Sequence, residues 1–338
     1  MKASSGFVRG AYADPRFFWN TGARLDEYGI DAIFVHSGSI DAELVTRAKA
    51  EGAMVFAEFA TLNGKGYVDE HPEAWPVNEL GDRSPKAGWF MGACPTDPGF
   101  RANRLQALGD LLERYDLDGV WMDYLHWHAH FEDPQPVLPE TCFSDSCIES
   151  FRDSTGVAVP RGNISQRAEW IVRTHEKEWR DWRCAVLADW ARSIRGVIER
   201  SRPGLKLGNF QCPWRDDEFG GARRRTLGID LGLLAGLVDV VSPMVYHGRM
   251  GRPPSWVRDA VEWLAGVVGP GSPEVWPIVQ AGDPQDISAQ EFRDVMNYAR
   301  DGGAKGVMMF HIEVVAADPA KMQVVHDLYT AWANRSSR

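Results

Sequence analysis

The sequence predicts an α/β protein folded as a (β/α)8 barrel, a TIM barrel with long loops after strands three and four. Three observations carry that expectation. Short apolar runs of strand length alternate with longer helix-period segments through almost all of the 338 residues. The strand candidates are near-continuous apolar runs, the pattern of parallel strands buried on both faces. The turn after the first strand reads Gly-Ala-Tyr-Ala-Asp-Pro over 10–15, where an open dinucleotide-binding sheet would carry Gly-x-Gly-x-x-Gly.

In chain order the strands fall at 7–13, 32–36, 54–59, 119–124, 206–211, 239–245, 275–279 and 306–310. Helical patterns follow at 41–51, 101–115 and 167–202 after strands two, three and four. Further patterns at 256–268, 288–301 and 319–333 follow strands six, seven and eight. The last carries a start signal, Asp318 as N-cap with Pro319 in the first helical position. Helices near 17–28 and 230–237 are weakly marked and short. No repeat or linker divides the chain, so residues 1–338 read as a single barrel domain. A mouth-capping insertion is expected at about 126–166, rich in proline, with a short helix at 146–155. A second excursion at 61–98 follows strand three, on the same side of the barrel.

Composition excludes several partners. With 37 basic and 47 acidic residues the net charge is −10, which leaves nothing to neutralise a nucleic acid. The same balance favours a neutral or cationic sugar over a polyanionic one, and Arg223, Arg224 and Arg225 read as a solvated loop. No run approaches the roughly 18 apolar residues of a membrane span. The start, Met-Lys-Ala-Ser-Ser-Gly-Phe-Val-Arg, lacks an apolar signal core, so a cytoplasmic location is expected, with a trimmed leader left open. Pairing of copies through outer helices is left open as well. Five scattered cysteines do not make a disulfide scaffold. No cofactor is expected. The 14 Trp are a surplus that suits stacking on sugar rings.

The most specific local signal is Leu117-Asp118-Gly119-Val120-Trp121-Met122-Asp123-Tyr124. A buried strand ending in Asp delivers a carboxylate to the barrel mouth, where a charge is costly unless hydrogen-bonded or used. Glycoside hydrolysis needs two carboxyl groups, one protonated and one ionised. Asp123 is the candidate nucleophile or base, and Glu58 and Glu313 compete for the acid. Other strand ends offer Asp14, His36, Asn209, Gln211, Tyr246, His247, Gln280 and His311 to grip hydroxyls. Trp89, Trp127 and Trp214 in the adjoining loops are candidate stacking platforms, with His126 beside them. The alternating His126, His128 and His130 also allow a metal-dependent, amidohydrolase-like reading. Strand one, however, lacks the His pair such barrels carry. Cys142 and Cys147 read equally as a thiol pair, a local disulfide or half of a zinc site.

These segments, with Ala93-Cys-Pro-Thr-Asp-Pro98, Cys142-Phe-Ser-Asp-Ser-Cys147 and Asp239-Val-Val-Ser-Pro-Met-Val-Tyr-His247, resemble a family of bacterial glycoside hydrolases with a (β/α)8 barrel. That family is related distantly to barrels in which the strand-four Asp is the nucleophile. The resemblance spans roughly residues 6–311 and implies a functional carboxylate at Asp123. In similar sequences the cysteine segment often reads Cys-Phe-Cys, and here Ser144 stands in the middle position, which weakens a metal role. The expected function is cleavage of a glycosidic bond in an oligosaccharide or glycoside. A non-catalytic carbohydrate-binding barrel is the remaining alternative.

Overall fold

The computed structural model describes residues 6–269 and 273–335. Residues 1–5, on which much of the reading of an absent leader rests, lie outside them. Eight parallel strands close into a barrel. They are β1 (Val8–Tyr12), β2 (Ala32–His36), β3 (Met54–Ala60), β4 (Gly119–Asp123), β5 (Lys206–Gln211) and β6 (Val240–Val245), then β7 and β8 (Gly306–Phe310). Strand β7 runs in two segments, Glu274–Val275 and Ile278–Gln280, because Pro277 between them has no N–H to give the ladder. Each strand pairs with its sequence neighbours, and β8 closes the ring on β1 through Val8↔Gly306 and Ala11↔Met309.

One device recurs at the base of the ring. Asp31, just before β2, accepts the Arg9 N–H of β1 at 2.7 Å. Asp118, before β4, accepts the Val55 N–H of β3 at 2.8 Å, and Asp239, before β6, accepts the Leu207 N–H of β5 at 2.7 Å. Each carboxylate satisfies a backbone donor that the staggered strand start leaves without a ladder partner. The first Asp of the strand-four motif is therefore structural, and the second stands at the opposite end.

The barrel floor is aromatic. Trp121 packs on Phe34, Phe56 and Trp276 with ring centroids 4.8, 4.6 and 5.5 Å away, and its indole N–H donates to Ser242 Oγ at 3.0 Å. Gly208 on β5 makes room for it, since a Cβ there would lie 2.1 Å from the indole. Gly208→Ala is expected to cost about 1–3 kcal/mol or more through overpacking. Thermal unfolding of the variant checks this.

Among the described residues eight longer helices pack outside. They are α1 (Ala42–Ala50), α2 (Pro98–Arg114), α3 (Asp145–Thr155), α4 (Ile164–Thr174), α5 (Glu176–Ser201), α6 (Trp256–Val268), α7 (Ala289–Asp301) and α8 (Pro319–Arg335). Asp41, Asp97, Ser144 and Ser288 cap α1, α2, α3 and α7 by accepting first-turn N–H groups. Asp97 with Pro98 starts α2 three residues earlier than the apolar period suggested. The continuous helix expected at 167–202 is two, α4 and α5, broken at His175 (φ −136°, ψ 34°). No Gly or Pro marks that break, so the apolar period runs through it. After β1 only Arg16–Trp19 is helical. Among the described residues no helix is long and apolar enough to cross a membrane.

Candidate active site

Alternation along the strands decides which side chains look into the barrel. On β4 the floor residue Trp121 fixes Asp123 as the next inward position, at the C-terminal mouth. There a cavity of about 240 Å³ opens, lined by Asp123, Glu132 and Arg249 among the aromatic rings of Tyr12, Trp89, Tyr124, Phe210, Tyr246 and Phe310, with Met244. Among the described residues four non-glycine positions have left-handed backbone: Ala13 (φ 91°), Tyr124 (φ 53°), Phe219 (φ 51°) and Asp283 (φ 52°). All four lie in loops that follow strands. Strain of this kind gathers where a site over-determines its backbone.

Asp123 is half-buried, and its Oδ1 accepts the Tyr124 N–H at 2.8 Å. Burial pushes its proton affinity well above the usual carboxylate range, and the negative charge of Glu58 adds to this more than that of Glu132. Glu58 is 1% exposed and does not line the cavity. Tyr12, which does, donates its hydroxyl to Glu58 Oε2 at 3.4 Å, while Glu58 Oε1 is buried with no partner. Burial raises the Glu58 pKa to about 7, against the opposing pull of Tyr12 and Arg104. The negative charge of Glu58 therefore works against ionisation of Asp123.

That shift has a stability consequence. The folded chain holds the Glu58 proton more tightly than the unfolded chain, whose carboxyl titrates near 4.5. The contribution to stability is full below about pH 4.5 and is lost as pH rises through about 7. Glu58→Gln is therefore expected to melt with wild type at pH 4.5 and above it at pH 8. Melting curves at the two pH values check the sign.

Glu132 was not singled out by the sequence, and neither was Arg249. Glu132 follows the histidine run in the excursion after β4, and Arg249 lies in the loop after β6. They pair at 2.6 Å, with side chains 11% and 13% exposed respectively. The guanidinium lies 5.2–5.3 Å from the ring centroids of Trp89, Tyr246 and Phe310. Gln280 accepts the Arg249 N–H at 3.0 Å and donates to Asp283 O and Gln285 Oε1, so it braces this loop from the core. Burial raises the Glu132 pKa, and Arg249 opposes the rise. The signal that could have found the pair is a carboxylate closing the histidine run and an arginine two residues beyond His247, each in a segment that follows a strand end.

Of the other expected site residues, Trp89 and Tyr246 line the cavity. Glu313 does not; it lies on the short helix after β8, 3.6 Å from His311 and 37% exposed. His311 also faces Asp283 at 3.6 Å. Asn209 and Gln211 point out of the barrel, on the parity of Leu207, where Asn209 bonds Met122 O and Gln211 bonds Asn209. Asp14 is tied to Arg16, and exposed His36 caps the turn at Gly38. His247 is buried against Glu291 at 2.8 Å. Trp127 is core, donating to Arg183 O, and Trp214 is buried beneath Phe219. Neither offers a free face to a sugar.

The histidines do not gather as metal ligands. His126 Nδ1 lies 2.8 Å from Trp127 O, His128 Nε2 lies 2.8 Å from Pro85 O, and His130 packs edge-on against Trp89. Burial lowers all three pKa values, His126 to about 4. A different set does converge. Cys94, from the loop after β3, joins Cys142 and Cys147 so that all three buried sulfurs lie within 4.8 Å of one another. Among the described residues this is the one group that could hold a metal, and three thiols suit a thiophilic ion such as zinc. Thr96 Oγ1 touches two of the sulfurs, at 3.2 and 3.0 Å, and Ser144 Oγ lies 3.4 Å from the third. None of the three lines the cavity, so an ion there would tie the two mouth excursions together without meeting substrate.

No family model matches the sequence, and no curated protein matches it significantly. Solved structures do match its fold. The glycoside hydrolase domain of PgaB (BpsB) from Bordetella bronchiseptica superposes with a TM-score of 0.73 at 14% identity, covering 96% of this chain and 99% of that one. The barrel is one that glycoside hydrolases use. A β-galactosidase from the psychrophilic Marinomonas ef1 gives 0.71 at 11% identity, over 98% of this chain and 60% of that one. α-L-Fucosidase isoenzyme 2 from Paenibacillus thiaminolyticus gives 0.63 at 12%, over 98% and 50%. The chain thus spans half to three fifths of those two enzymes. Identities this low establish the architecture and leave the chemistry to the site.

Proposed function

We propose that the chain hydrolyses glycosidic bonds, with Asp123 as the ionised carboxylate and Glu132 as the proton donor. The observation that carries this reading is that both carboxyls line one aromatic-walled cavity at the C-terminal mouth of the barrel. Burial and the negative charge of Glu58 make Asp123 hold its proton more tightly than an ordinary carboxyl, so the active form is the one in which Asp123 has lost that proton. Asp123 then attacks the anomeric carbon or takes a proton from the attacking water. As the glycosidic C–O bond breaks, Glu132 gives its proton to the departing oxygen. Arg249, 2.6 Å away, steadies the carboxylate that results. The indole face of Trp89 offers a stacking surface for the C–H groups of a sugar ring. Solved barrels of this architecture that carry glycosidase names add support.

The direct test is incubation with 4-nitrophenyl glycosides of galactose, glucose, fucose and N-acetylglucosamine, and with tetrasaccharides of the first, second and last. Released sugar supports the reading, and the anomer of the first product shows whether Asp123 attacks or activates water. Saturable binding with no release from any substrate favours a carbohydrate-binding barrel. Absence of both binding and release removes the proposal.

A further inference from the structure

We propose that Phe219 is the stacking platform of a second sugar subsite, so that the substrate is an oligosaccharide and not a simple monoglycoside. This rests on the glycosidase reading above. Phe219 is a large aromatic side chain left 37% exposed, with φ 51° and ψ 39°. The next two residues, Gly220 and Gly221, continue the left-handed run at φ 65° and 75°. Glycine takes that conformation freely, whereas a bulky residue is strained in it. A turn built only to reverse the chain would carry Gly, Asn or Asp at 219. A residue kept only for packing would be covered.

The ring is held by segments that lead to the site. It packs on buried Trp214 with ring centroids 4.2 Å apart and ring planes inclined at 37°. Trp214 meets the edge of Phe131 at 6.0 Å, and Phe131 is the chain neighbour of Glu132. Glu218, beside Phe219, accepts the Arg215 N–H at 2.7 Å and pairs with Arg252, three residues beyond Arg249. The loop after β5 is thus fastened to the two segments that supply the Glu132–Arg249 pair. Among the described residues the other exposed aromatics are Trp89, in the cavity itself, and Phe17, which nothing ties to it. Trp89 and Phe219 together give a first sugar and its neighbour an aromatic face each.

The test uses Phe219→Gly, which removes the ring and also relaxes the backbone, so that loss of folding does not obscure the result. For the sugar series that wild type cleaves, the ratio of tetrasaccharide KM to 4-nitrophenyl monoglycoside KM should rise about 3- to 10-fold, the scale of one stacking contact. Phe219→Tyr should restore it. An unchanged ratio in a folded Phe219→Gly variant overturns the subsite. Calorimetric binding of the same tetrasaccharides in an Asp123→Asn background separates the two ideas. Weaker binding on loss of the ring supports the platform even where wild type releases no sugar, an outcome that would instead count against the glycosidase reading.

Discussion

Asp123→Asn is expected to lose at least about 10³-fold in turnover on oligosaccharides while keeping its fold and its sugar binding. Asn is nearly isosteric, and its Oδ1 can still accept the Tyr124 N–H that Asp123 holds at 2.8 Å. The strained turn at the end of β4 therefore survives. The charge that burial and Glu58 both oppose is removed, so the melting temperature near neutral pH should hold or rise. A purely structural carboxylate at this position would behave the other way, losing stability and leaving turnover nearly intact. The kcat and the melting curve of one variant decide between these, and near-normal hydrolysis would end the catalytic assignment.

Much of the fold is legible because buried parallel strands leave a strong trace. Runs such as Ala-Ile-Phe-Val at 32–35 and Val-Val-Ser-Pro-Met-Val at 240–245 can hardly be anything else. The strand ends were located well, and strand parity is what separates the residues there. Asn209 and Gln211 flank inward Phe210, so both turn toward the helices, where the Gln211 amide donates to Asn209 Oδ1. Loop residues were harder, since nothing in Trp127 or Trp214 signals that the insertion folds back and buries them. The alternating histidines stand just ahead of Glu132, the next acid in the same run, which is the one of them that lines the cavity. Cys94 lies 53 residues from Cys147, and only the packing of two excursions brings their sulfurs to 3.2 Å.

Glu132→Gln should lose about 10²- to 10⁴-fold on an oligosaccharide, whose poor leaving group needs a proton. On a 2,4-dinitrophenyl glycoside, whose leaving group needs almost none, the same variant should run within a few-fold of wild type. The control matters because Glu132 is also the counterion of Arg249. Breaking a buried pair by removing one partner costs about 3–5 kcal/mol when the other charge is stranded. Glutamine keeps an acceptor oxygen toward Arg249, and the three aromatic rings remain around the guanidinium, so the fold should hold. Glu313→Gln, beside His311 and off the cavity, should leave both substrates alone. Glu58→Gln should instead move the acid limb of the pH profile of kcat/KM downward, since it removes the negative charge that raises the Asp123 pKa. A Glu132 variant equally slow on both substrates would mean that its carboxyl only holds Arg249. If Glu58→Gln alone were rescued by the activated leaving group, the proton would have to reach the substrate past Tyr12.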